Sequence, residues 1–391
     1  MTDSTRTVRR CDTLVVGGGL TGCATAYYLA RDGADVALVE RFDLNTEASG
    51  RNAGGFHVQI QFEPFEQEGE AWAREWAPTI PLLIDAVGLW RSLADELDVD
   101  LEVKLTGGLL AAETEPQLAA IERKAAIERE AGLDVTLLSR ADVRRLAPYL
   151  SSELAGGLLC PLEGKANPLL AAPAFAHAAR AHGAHVETGV EVLAIEQAGS
   201  AFRVRTAAGS TECETIVDCG GVDAGRIAAL VGVELPVESW PLQAHVTERI
   251  APLVQHLVYF AGGRLTVKQA AVGSVLIGGG WPSALDAATG RGDVSMTSLA
   301  ANLRLAQLVI PALRSVRLLR IWTGFCNGTP DHRPILGELE AVPGFFVASF
   351  PYLGFTAAPL MGRIAADLVR RRELPYDLAP FAPERFARVT P

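Results

Sequence analysis

Two short apolar runs near the N-terminus flank a longer stretch that mixes apolar and small residues. Residues 13–16 and 35–40 are short and rich in Val and Leu, which predicts two buried strands. Residues 20–31 have the length and composition of a helix, and Gly33 follows at a typical position for a helix to end. The pattern therefore predicts a β-strand, α-helix, β-strand unit at the start of the chain.

The middle of the chain mixes helical and extended patterns. A Gly-rich polar loop is predicted at residues 45–55, and one long, mostly helical stretch at residues 70–97 is interrupted near Pro78 and Pro81. Further elements are predicted as a short strand ending at 107–108, helices over 116–131 and 170–182, and strands over 186–195, 202–206 and 214–217.

After residue 235 the pattern changes to short strands separated by turn residues. Strands are predicted at residues 245–247, 265–268 and 275–278, followed by a helix over 298–309. This is typical of an antiparallel sheet that covers a substrate in an α+β arrangement. The chain then returns to a strand, a Gly-containing turn and a helix over 357–370.

Length and charge narrow the class of protein. With 391 residues the chain exceeds the size at which one core keeps growing, so two domains are expected. The net charge of −11 and the lack of a basic run argue against nucleic-acid binding. No apolar stretch is long enough for a membrane span, and a cytoplasmic location is predicted. The six cysteines form no metal-ligand or dithiol spacing, so no metal site is predicted.

The Gly17-Gly18-Gly19-Leu20-Thr21-Gly22 loop carries the candidate chemistry. A GxGxxG motif alone is weak evidence, but here it joins a strand to a helix, and Glu40 ends the next strand. In such a loop Gly17 permits the tight turn, Gly19 lets the backbone approach a pyrophosphate, and Gly22 lets the helix pack on the strand. The helix N-terminus then faces the phosphates, and Glu40 would bind the ribose hydroxyls. The loop predicts a dinucleotide without deciding between FAD and NAD.

Three motifs in a fixed order favour FAD. The unit at 15–40 is followed by the small-residue loop 49–55, and then by Arg320-Ile321-Trp322-Thr323-Gly324 ahead of the 329–337 segment. In this order they resemble the D-amino-acid oxidase superfamily of FAD-dependent oxidoreductases. Within it the chain looks like the β subunits of heteromeric sarcosine oxidases, proline and hydroxyproline dehydrogenases, and opine oxidases. A possible hetero-oligomer is therefore among the expectations.

The resemblance implies a non-contiguous, Rossmann-like α/β FAD-binding domain and a second, antiparallel-sheet substrate domain. The first would comprise residues 1–88, 148–234 and 322–391, and the second residues 89–147 and 235–321. Cofactor contacts are expected from residues of the matching motifs and of the helix near the C-terminus: Gly17, Gly19, Leu20, Thr21, Gly22, Glu40, Arg41, Ser49, Gly50, Arg51, Asn52, Ala53, Gly54, Gly55, Val192, Gly220, Gly324, Asp331, Leu353, Gly354, Phe355 and Thr356.

Departures from the family pattern refine these expectations. Gly324 stands where monomeric sarcosine oxidases carry a flavin-linking Cys, and the 164–168 turn lacks the His that anchors FMN in β subunits, so FAD is expected to be non-covalent. The strand at 275–280 lacks the Lys that activates oxygen in monomeric sarcosine oxidases, which favours a dehydrogenase over an oxidase.

The resemblance implies oxidation of an amine or amino acid by hydride transfer to flavin N5. His57, a candidate base or simply a loop histidine, is placed with Arg51 and Tyr352 as catalytic candidates. A substrate carboxylate would need a cation, for which Arg51, Arg264, Lys268 and Arg333 are candidates alongside ordinary surface roles. Oxidation of a 2-hydroxy acid and a non-catalytic FAD-holding subunit remain alternatives.

Overall fold

The computed structural model describes residues 8–386, 388 and 389. Within this part of the chain, the first sheet has eight strands, and parallel pairing joins five of them. Across the sheet the main path runs Ile335–Glu338, Phe345–Ser349, Ser210–Asp218, Val8–Val16, Val36–Glu40 and His185–Thr188, and Ala201–Thr206 and Val192–Ala198 extend it from Ser210–Asp218.

The predicted N-terminal unit is present. Helix Leu20–Arg31 has the predicted bounds, and its flanking strands Val8–Val16 and Val36–Glu40 pair in parallel, with Thr13 opposite Val36. Leu14, Val15 and Leu38 are fully buried, which explains why the centres of these two strands are apolar. Gly33 has a positive φ of 85°, so a glycine after the helix permits the reversal into the next strand.

A second sheet forms the other layer. Among the described residues it also has eight strands, in the order Leu318–Gly328, Glu238–Arg249, Ser274–Gly278, Thr266–Gln269, Leu257–Phe260, Gly108–Ala112, Gly156–Cys160 and Thr136–Ser139. All its pairs are antiparallel except one, because Leu257–Phe260 runs parallel to Gly108–Ala112. The sheet predicted as antiparallel therefore contains one parallel pair, formed by two strands that are far apart in the sequence. Two-residue strands pair outside these sheets: Gly55–Phe56 with Gly164–Lys165, Ala284–Leu285 with Gly292–Asp293, and Val233–Glu234 with Arg388–Val389.

The α-helices of the described residues connect and cover the sheets. They are Leu20–Arg31, Ala48–Arg51, Phe62–Trp76, Thr79–Trp90, Leu93–Leu97, Glu115–Glu130, Arg140–Leu146, Ala171–Ala181, Ala224–Ala229, Met296–Val309 and Gly354–Val369. Short 3-10 turns occur at Gly221–Asp223, Pro311–Ser315, Ala379–Phe381 and Pro383–Arg385. Between residues 8 and 386, no helix combines the length and apolar character that crossing a membrane requires.

Several local predictions are wrong in detail. The stretch predicted as one strand over 186–195 is two strands, because Gly189 has a positive φ and breaks the run. The strand predicted to end at 107–108 instead begins at Gly108. The loop at 45–55 contains the short helix Ala48–Arg51. The first of the helices predicted within 70–97 begins earlier, at Phe62, and Pro81 fits within the first turn of Thr79–Trp90.

The predicted domain boundaries stay a prediction, but two strands depart from them. Gly156–Cys160 pairs within the second sheet, although the boundary at residue 148 assigns it to the first domain. Leu318–Gly328 also belongs to the second sheet and crosses the boundary between 321 and 322. Pairing across a sheet depends on partners far away in sequence, so local patterns gave no sign of either assignment.

Helix Gly354–Val369 packs against helix Leu20–Arg31 at very short range. A Cβ at Gly362 would lie 2.6 Å from the Cβ of Ala24, so a side chain there would force the helices apart. The cavity described below is lined by residues from the N-terminal ends of both helices. This contact therefore sets the spacing of two helix N-termini at one site.

Candidate active site

One large cavity lies between the two sheets. Its volume is about 1160 Å³, larger than the roughly 300–1,000 Å³ of ordinary small-ligand pockets. The glycine loop and the ends of the first sheet line one side, and Tyr259, Thr266, Lys268 and Gly278 of the second sheet line another. The cavity has room for an extended dinucleotide with a small substrate beside it.

The glycine loop has the geometry of a phosphate cradle. Gly17 has a φ of 113°, and a Cβ there would lie 2.5 Å from the carbonyl oxygen of Cys219. A Cβ at Gly22 would lie 1.9 Å from the carbonyl oxygen of Gly17. Both positions therefore exclude any larger residue, and the first turn of helix Leu20–Arg31 closes directly on the loop. The backbone contacts fit the roles that the sequence predicted for these glycines.

Two side chains hold the cradle in place. Glu40 accepts hydrogen bonds from the backbone N–H of Gly18 and of Phe42, each at 2.7 Å. The hydroxyl of Ser49 accepts from the backbone N–H of Leu20 at 2.9 Å, which satisfies one of the free donors at the helix N-terminus. Each Glu40 oxygen has a remaining lone pair, so the carboxylate can still accept from ribose hydroxyls.

The C-terminal helix presents its N-terminus to the same cavity. It begins at Gly354, three residues earlier than predicted, after the left-handed Tyr352 (φ 56°). Its first backbone N–H bonded within the helix is that of Ala357, which donates to Leu353. The preceding N–H groups, around Gly354 and Phe355, supply the positive end of the helix dipole to the cavity.

Arg51 joins the small-residue loop to the edge strand of the second sheet. Its guanidinium donates to the carbonyl oxygens of Thr46 at 2.6 Å and Thr323 at 3.2 Å. A Cβ at Gly324 would lie 2.9 Å from the Cβ of Arg51, so the glycine makes room for the arginine stem. The indole N–H of Trp322 donates to the carbonyl oxygen of Arg51 at 2.6 Å. These contacts favour a positioning role for Arg51 over direct catalysis.

His57 lies in the cavity beside the second sheet. Its Nδ1 is hydrogen bonded to the hydroxyl of Tyr259 at 2.7 Å, and its backbone N–H donates to the Thr356 hydroxyl at 2.9 Å. Burial, with a smaller contribution from the Lys268 charge, lowers the pKa of His57 to about 3. The imidazole of this candidate base therefore stays uncharged and only weakly basic at neutral pH.

Lys268 is the second unusual group in the cavity. Its side chain is 3% exposed, and its Nζ lies 3.1 Å from the place where a Cβ at Gly55 would stand. His57 Nε2 lies 2.6 Å from that same place. The lysine ammonium and the imidazole thus flank the backbone of Gly55, on the cavity face of strand Thr266–Gln269.

The other candidate cations have carboxylate partners. Arg264 pairs with Glu63 at 2.7 Å at the cavity rim, and Arg51 is 3.3 Å from Glu47. Arg333 pairs with Asp331 at 2.9 Å and does not line the cavity. Among the described residues that line the cavity, the remaining arginines, Arg41 and Arg226, both pair with Asp223.

Tyr352 lines the cavity but lies against other groups than His57. Its ring is 4.9 Å from the His332 ring, and its hydroxyl approaches Gly328. Burial, followed by the charges of Cys326 and Glu238, raises the pKa of Tyr352 to about 12, so the phenol remains protonated. It can donate a hydrogen bond into the cavity.

Most predicted site residues meet in this cavity, although they come from distant segments. The predicted residues that line it are Gly17, Gly19, Leu20, Thr21, Glu40, Arg41, Ser49, Arg51, Asn52, Ala53, Gly55, His57, Val192, Gly220, Gly324, Tyr352, Leu353, Gly354, Phe355 and Thr356.

Four predicted cofactor residues do not line the cavity. Gly22, Gly50 and Gly54 lie behind it, at close backbone contacts; Cβ atoms there would lie 1.9, 1.9 and 2.2 Å from the carbonyl oxygens of other residues. Asp331 is paired with Arg333 and Arg385 away from the cavity, and its role as a cofactor residue stays a prediction. In the structure, this part of the 329–337 segment forms an ion cluster.

Glu163 was missed by sequence reasoning. This fully buried carboxylate accepts from the backbone N–H groups of Val58 and Gln59 at 2.6 and 2.9 Å, directly after His57. Burial raises its pKa, and its proximity adds to the burial that raises the pKa of Tyr259. Glu163 lies in a turn, where an acidic residue gives no sign that it will be buried. Glu163 therefore holds in place the backbone that directly follows His57.

A glycine-lined cradle opening onto the face of a second sheet is the architecture of enzymes that hold a dinucleotide against a substrate. A comparison with protein families identifies the family: residues 12–368 match the family described as FAD dependent oxidoreductase, and the chain belongs to it. It is an FAD-dependent enzyme, as the motifs predicted. The glycine cradle and its helix N-terminus fit the pyrophosphate of that cofactor.

Relatives of known function align over almost the whole chain. Glycine oxidase of Geobacillus kaustophilus is 30% identical over 381 residues, covering 95% of this chain and 96% of the relative. The β subunit of sarcosine oxidase from Rhizobium meliloti is 29% identical and covers 96% and 88%. The crystal structure of the Geobacillus glycine oxidase superposes with a TM-score of 0.86 at 28% identity, over 96% of this chain and 98% of that one. The predicted superfamily and fold class are confirmed.

Proposed function

We propose that this chain oxidises the C–N bond of a small amine or amino acid, giving an imine that water hydrolyses. The observation that carries the proposal is the meeting of three features in one cavity. The dinucleotide cradle, the N-terminus of helix Gly354–Val369, and the polar face with His57, Tyr259 and Lys268 all border the same space. The relatives named glycine oxidase and sarcosine oxidase subunit β support an amino-acid or secondary-amine substrate.

FAD, when bound, supplies the electron acceptor that takes a hydride from the substrate carbon. The chain itself would orient the substrate and remove water. His57, uncharged in its buried site, would accept a hydrogen bond from the substrate nitrogen through Nε2, while Tyr259 holds Nδ1. The N–H groups at the start of helix Gly354–Val369 would stabilise negative charge that develops on the reduced ring.

The state of Cys326 supports non-covalent FAD. It lines the cavity, but burial raises the pKa of its thiol to about 11, and its Sγ donates to the carbonyl oxygen of Asn327. A neutral thiol is a poor nucleophile for flavin attachment. We expect acid precipitation to release all the flavin into the supernatant, and yellow protein in the pellet would contradict this.

An anaerobic titration tests the reaction. Sarcosine, proline, opines, D-amino acids and glycine are added to the oxidised protein, and loss of the flavin absorbance is followed. At least one should bleach the flavin, with imine-derived aldehyde or keto acid formed in equal amount. Bleaching by 2-hydroxy acids alone would favour the alternative hydroxy-acid dehydrogenase. Bleaching by none of these compounds would favour the non-catalytic subunit.

The His57 variants test the assignment of that residue. His57→Gln should lower kcat/KM for the bleaching substrate by about 10- to 100-fold, the worth of one hydrogen bond to a charged or polarised group. The pH profile should show no ionisation of His57 near 6.5, because its pKa lies far lower. Tyr259→Phe, which leaves the imidazole in place but frees its Nδ1, should have a smaller effect of the same sign. Unchanged kcat/KM in His57→Gln would contradict the role.

We propose a dehydrogenase that passes electrons to an acceptor other than O2, since strand Ser274–Gly278 carries no lysine. Mixing the reduced protein with aerated buffer tests this directly, and rapid reoxidation would refute it. The sarcosine oxidase relative is named as a subunit, which supports a hetero-oligomer partner. Co-purification of the chain expressed with its genomic neighbours would test that. The cytoplasmic location stays a prediction from the sequence.

A further inference from the structure

Among the described residues, Lys268 differs from the other cavity-lining cations in having no carboxylate partner. Each cavity-lining arginine among the described residues pairs with a carboxylate. The pKa of Lys268, in contrast, is lowered by burial and by the positive charge of Lys165. A buried cation without a counter-ion is costly, and proteins keep one mainly where a ligand supplies the missing charge.

The strand geometry directs this side chain into the cavity. On strand Thr266–Gln269, Val267 is buried in the apolar core, so the alternate residues Thr266 and Lys268 face the other way. Thr266 stands opposite Tyr259 on one neighbouring strand and opposite Gly278 on the other, and all three line the cavity. Lys268 lies on this face, and its Nζ reaches the backbone of Gly55 beside His57.

We propose that Lys268 is the specificity-determining residue of the cavity: its side-chain amine takes up a proton from solvent as an amino-acid substrate arrives, and the resulting ammonium binds the substrate carboxylate. The inference rests on the proposed oxidation of amines or amino acids and narrows it to substrates with a carboxylate near the reacting C–N bond. Amines without a carboxylate would lack the partner for this cation.

The surrounding charges explain why binding and protonation are linked. Burial and, next, the repulsion of Lys165 lower the pKa of Lys268 to about 7. Lys165 itself is held in place by donating a hydrogen bond to the carbonyl oxygen of Gln269 at 2.5 Å. His57 and Tyr259, which also line this part of the cavity, are both uncharged. Glu163 is occupied by the N–H groups of Val58 and Gln59. An arriving carboxylate would supply the negative charge that favours the ammonium form of Lys268, so that the amine takes up a proton from solvent on binding.

A binding experiment on the FAD-loaded protein tests this without turnover. Benzoate and its neutral isostere benzamide are titrated, and the perturbation of the flavin spectrum is recorded. Benzoate should bind at least tenfold more tightly than benzamide at pH 7. Its Kd should rise about tenfold per pH unit above about 7, and calorimetry in two buffers of different ionisation enthalpy at pH 8 should show proton uptake.

Two variants and one control assign the effect to the residue. Lys268→Met should remove the preference for benzoate and its pH dependence, and Lys268→Arg should keep the preference but lose the pH dependence, because arginine does not titrate there. Arg264→Gln removes a cation of the cavity rim that Glu63 already neutralises, and it should leave benzoate binding within about twofold of the wild type.

Equal binding of benzoate and benzamide, no binding of either, or an unchanged preference in Lys268→Met would overturn the inference. If Lys268→Met does not fold, the pH dependence of the wild type and of Lys268→Arg decides. The experiments distinguish failure of the proposed function from failure of the anion site. If no amine or amino acid bleaches the flavin while benzoate binding follows Lys268, the anion site stands without the reaction. If sarcosine and dimethylamine bleach it equally well, the reaction stands without the anion site.

Discussion

Replacing Lys268 by methionine should stabilise the protein near neutral pH and have little effect at alkaline pH. Methionine keeps the length and most of the volume of the side chain but removes its charge. The folded protein buries this amine beside His57, with a second lysine, Lys165, acting on it. The unfolded chain holds it in water, so the ammonium favours unfolding.

The magnitude follows from the pKa. The pKa of Lys268 is about 7 in the folded protein, against 10.5 for a lysine in water. At about 1.36 kcal/mol per unit this difference gives an upper value of roughly 5 kcal/mol. Because the folded pKa of this base is depressed, the penalty is absent above about 10.5, grows as the pH falls, and is complete below about 7. The gain from Lys268→Met should therefore be largest at pH 7 and small by pH 10.

Thermal unfolding at several pH values measures this difference. A chain of 391 residues has an unfolding entropy of roughly 0.8 kcal/mol/K, so 5 kcal/mol corresponds to about 6 °C in Tm. Lys104→Met, which removes an exposed lysine, is the control and should change Tm little at any pH. A Lys268→Met protein whose Tm difference from wild type is the same at pH 7 and pH 10 would refute the reasoning. So would a variant less stable than wild type at pH 7.

Two further changes test the glycine cradle and the buried ion pair between Lys124 and Glu128. Gly22→Ala should lower FAD affinity by about tenfold or more, measured as flavin per protein after dialysis, because its Cβ would meet the Gly17 carbonyl at 1.9 Å. Gly88→Ala, with nothing within 4 Å of the new Cβ, should instead stabilise the protein by ~0.5–1 kcal/mol, and equal FAD loss in both variants would contradict the cradle argument. Lys124→Met should lower the free energy of unfolding by ~3–5 kcal/mol, because it leaves Glu128, bonded at 2.5 Å and fully buried, without its cation. Removing the exposed Arg74 from its pair with Glu130 should produce no measurable change in denaturant unfolding, and a similar loss in both would show that burial is not the cause.

Patterns read along the chain predicted the parts that local chemistry controls. The spacing of Gly17, Gly19 and Gly22 between a strand and a helix predicted the loop, in which Gly17 and Gly22 make backbone contacts that only glycine allows. The bounds of helix Leu20–Arg31 followed from its composition and from Gly33 after it. The pattern Ser139-Arg140-Ala141-Asp142 resembles a capping box and likewise predicts the start of helix Arg140–Leu146, where both hydrogen bonds of the box are present. These features depend on neighbours within a few residues, so the sequence carries them directly.

Pairing between distant segments could not be predicted in this way. Strand Gly156–Cys160 joins the second sheet because its partners are Gly108–Ala112 and Thr136–Ser139, and nothing within the strand itself identifies them. The same limit hid Glu163, whose role depends on reaching the backbone of Val58 from 105 residues away. Hydrogen-bonding partners of this kind are chosen by the fold as a whole.

The sequence by itself determined that this protein holds a dinucleotide, and its motifs identified that dinucleotide as FAD. It offered four basic residues for a substrate carboxylate with no means of choosing, because a charge is visible in a sequence but its solvation is not. The tertiary structure paired Arg51, Arg264 and Arg333 with carboxylates and buried Lys268 without one. It also changed His57 from a candidate base into a neutral hydrogen-bonding group. Burial and neighbouring charge decide the behaviour of an ionisable group, and both exist only once the chain has folded.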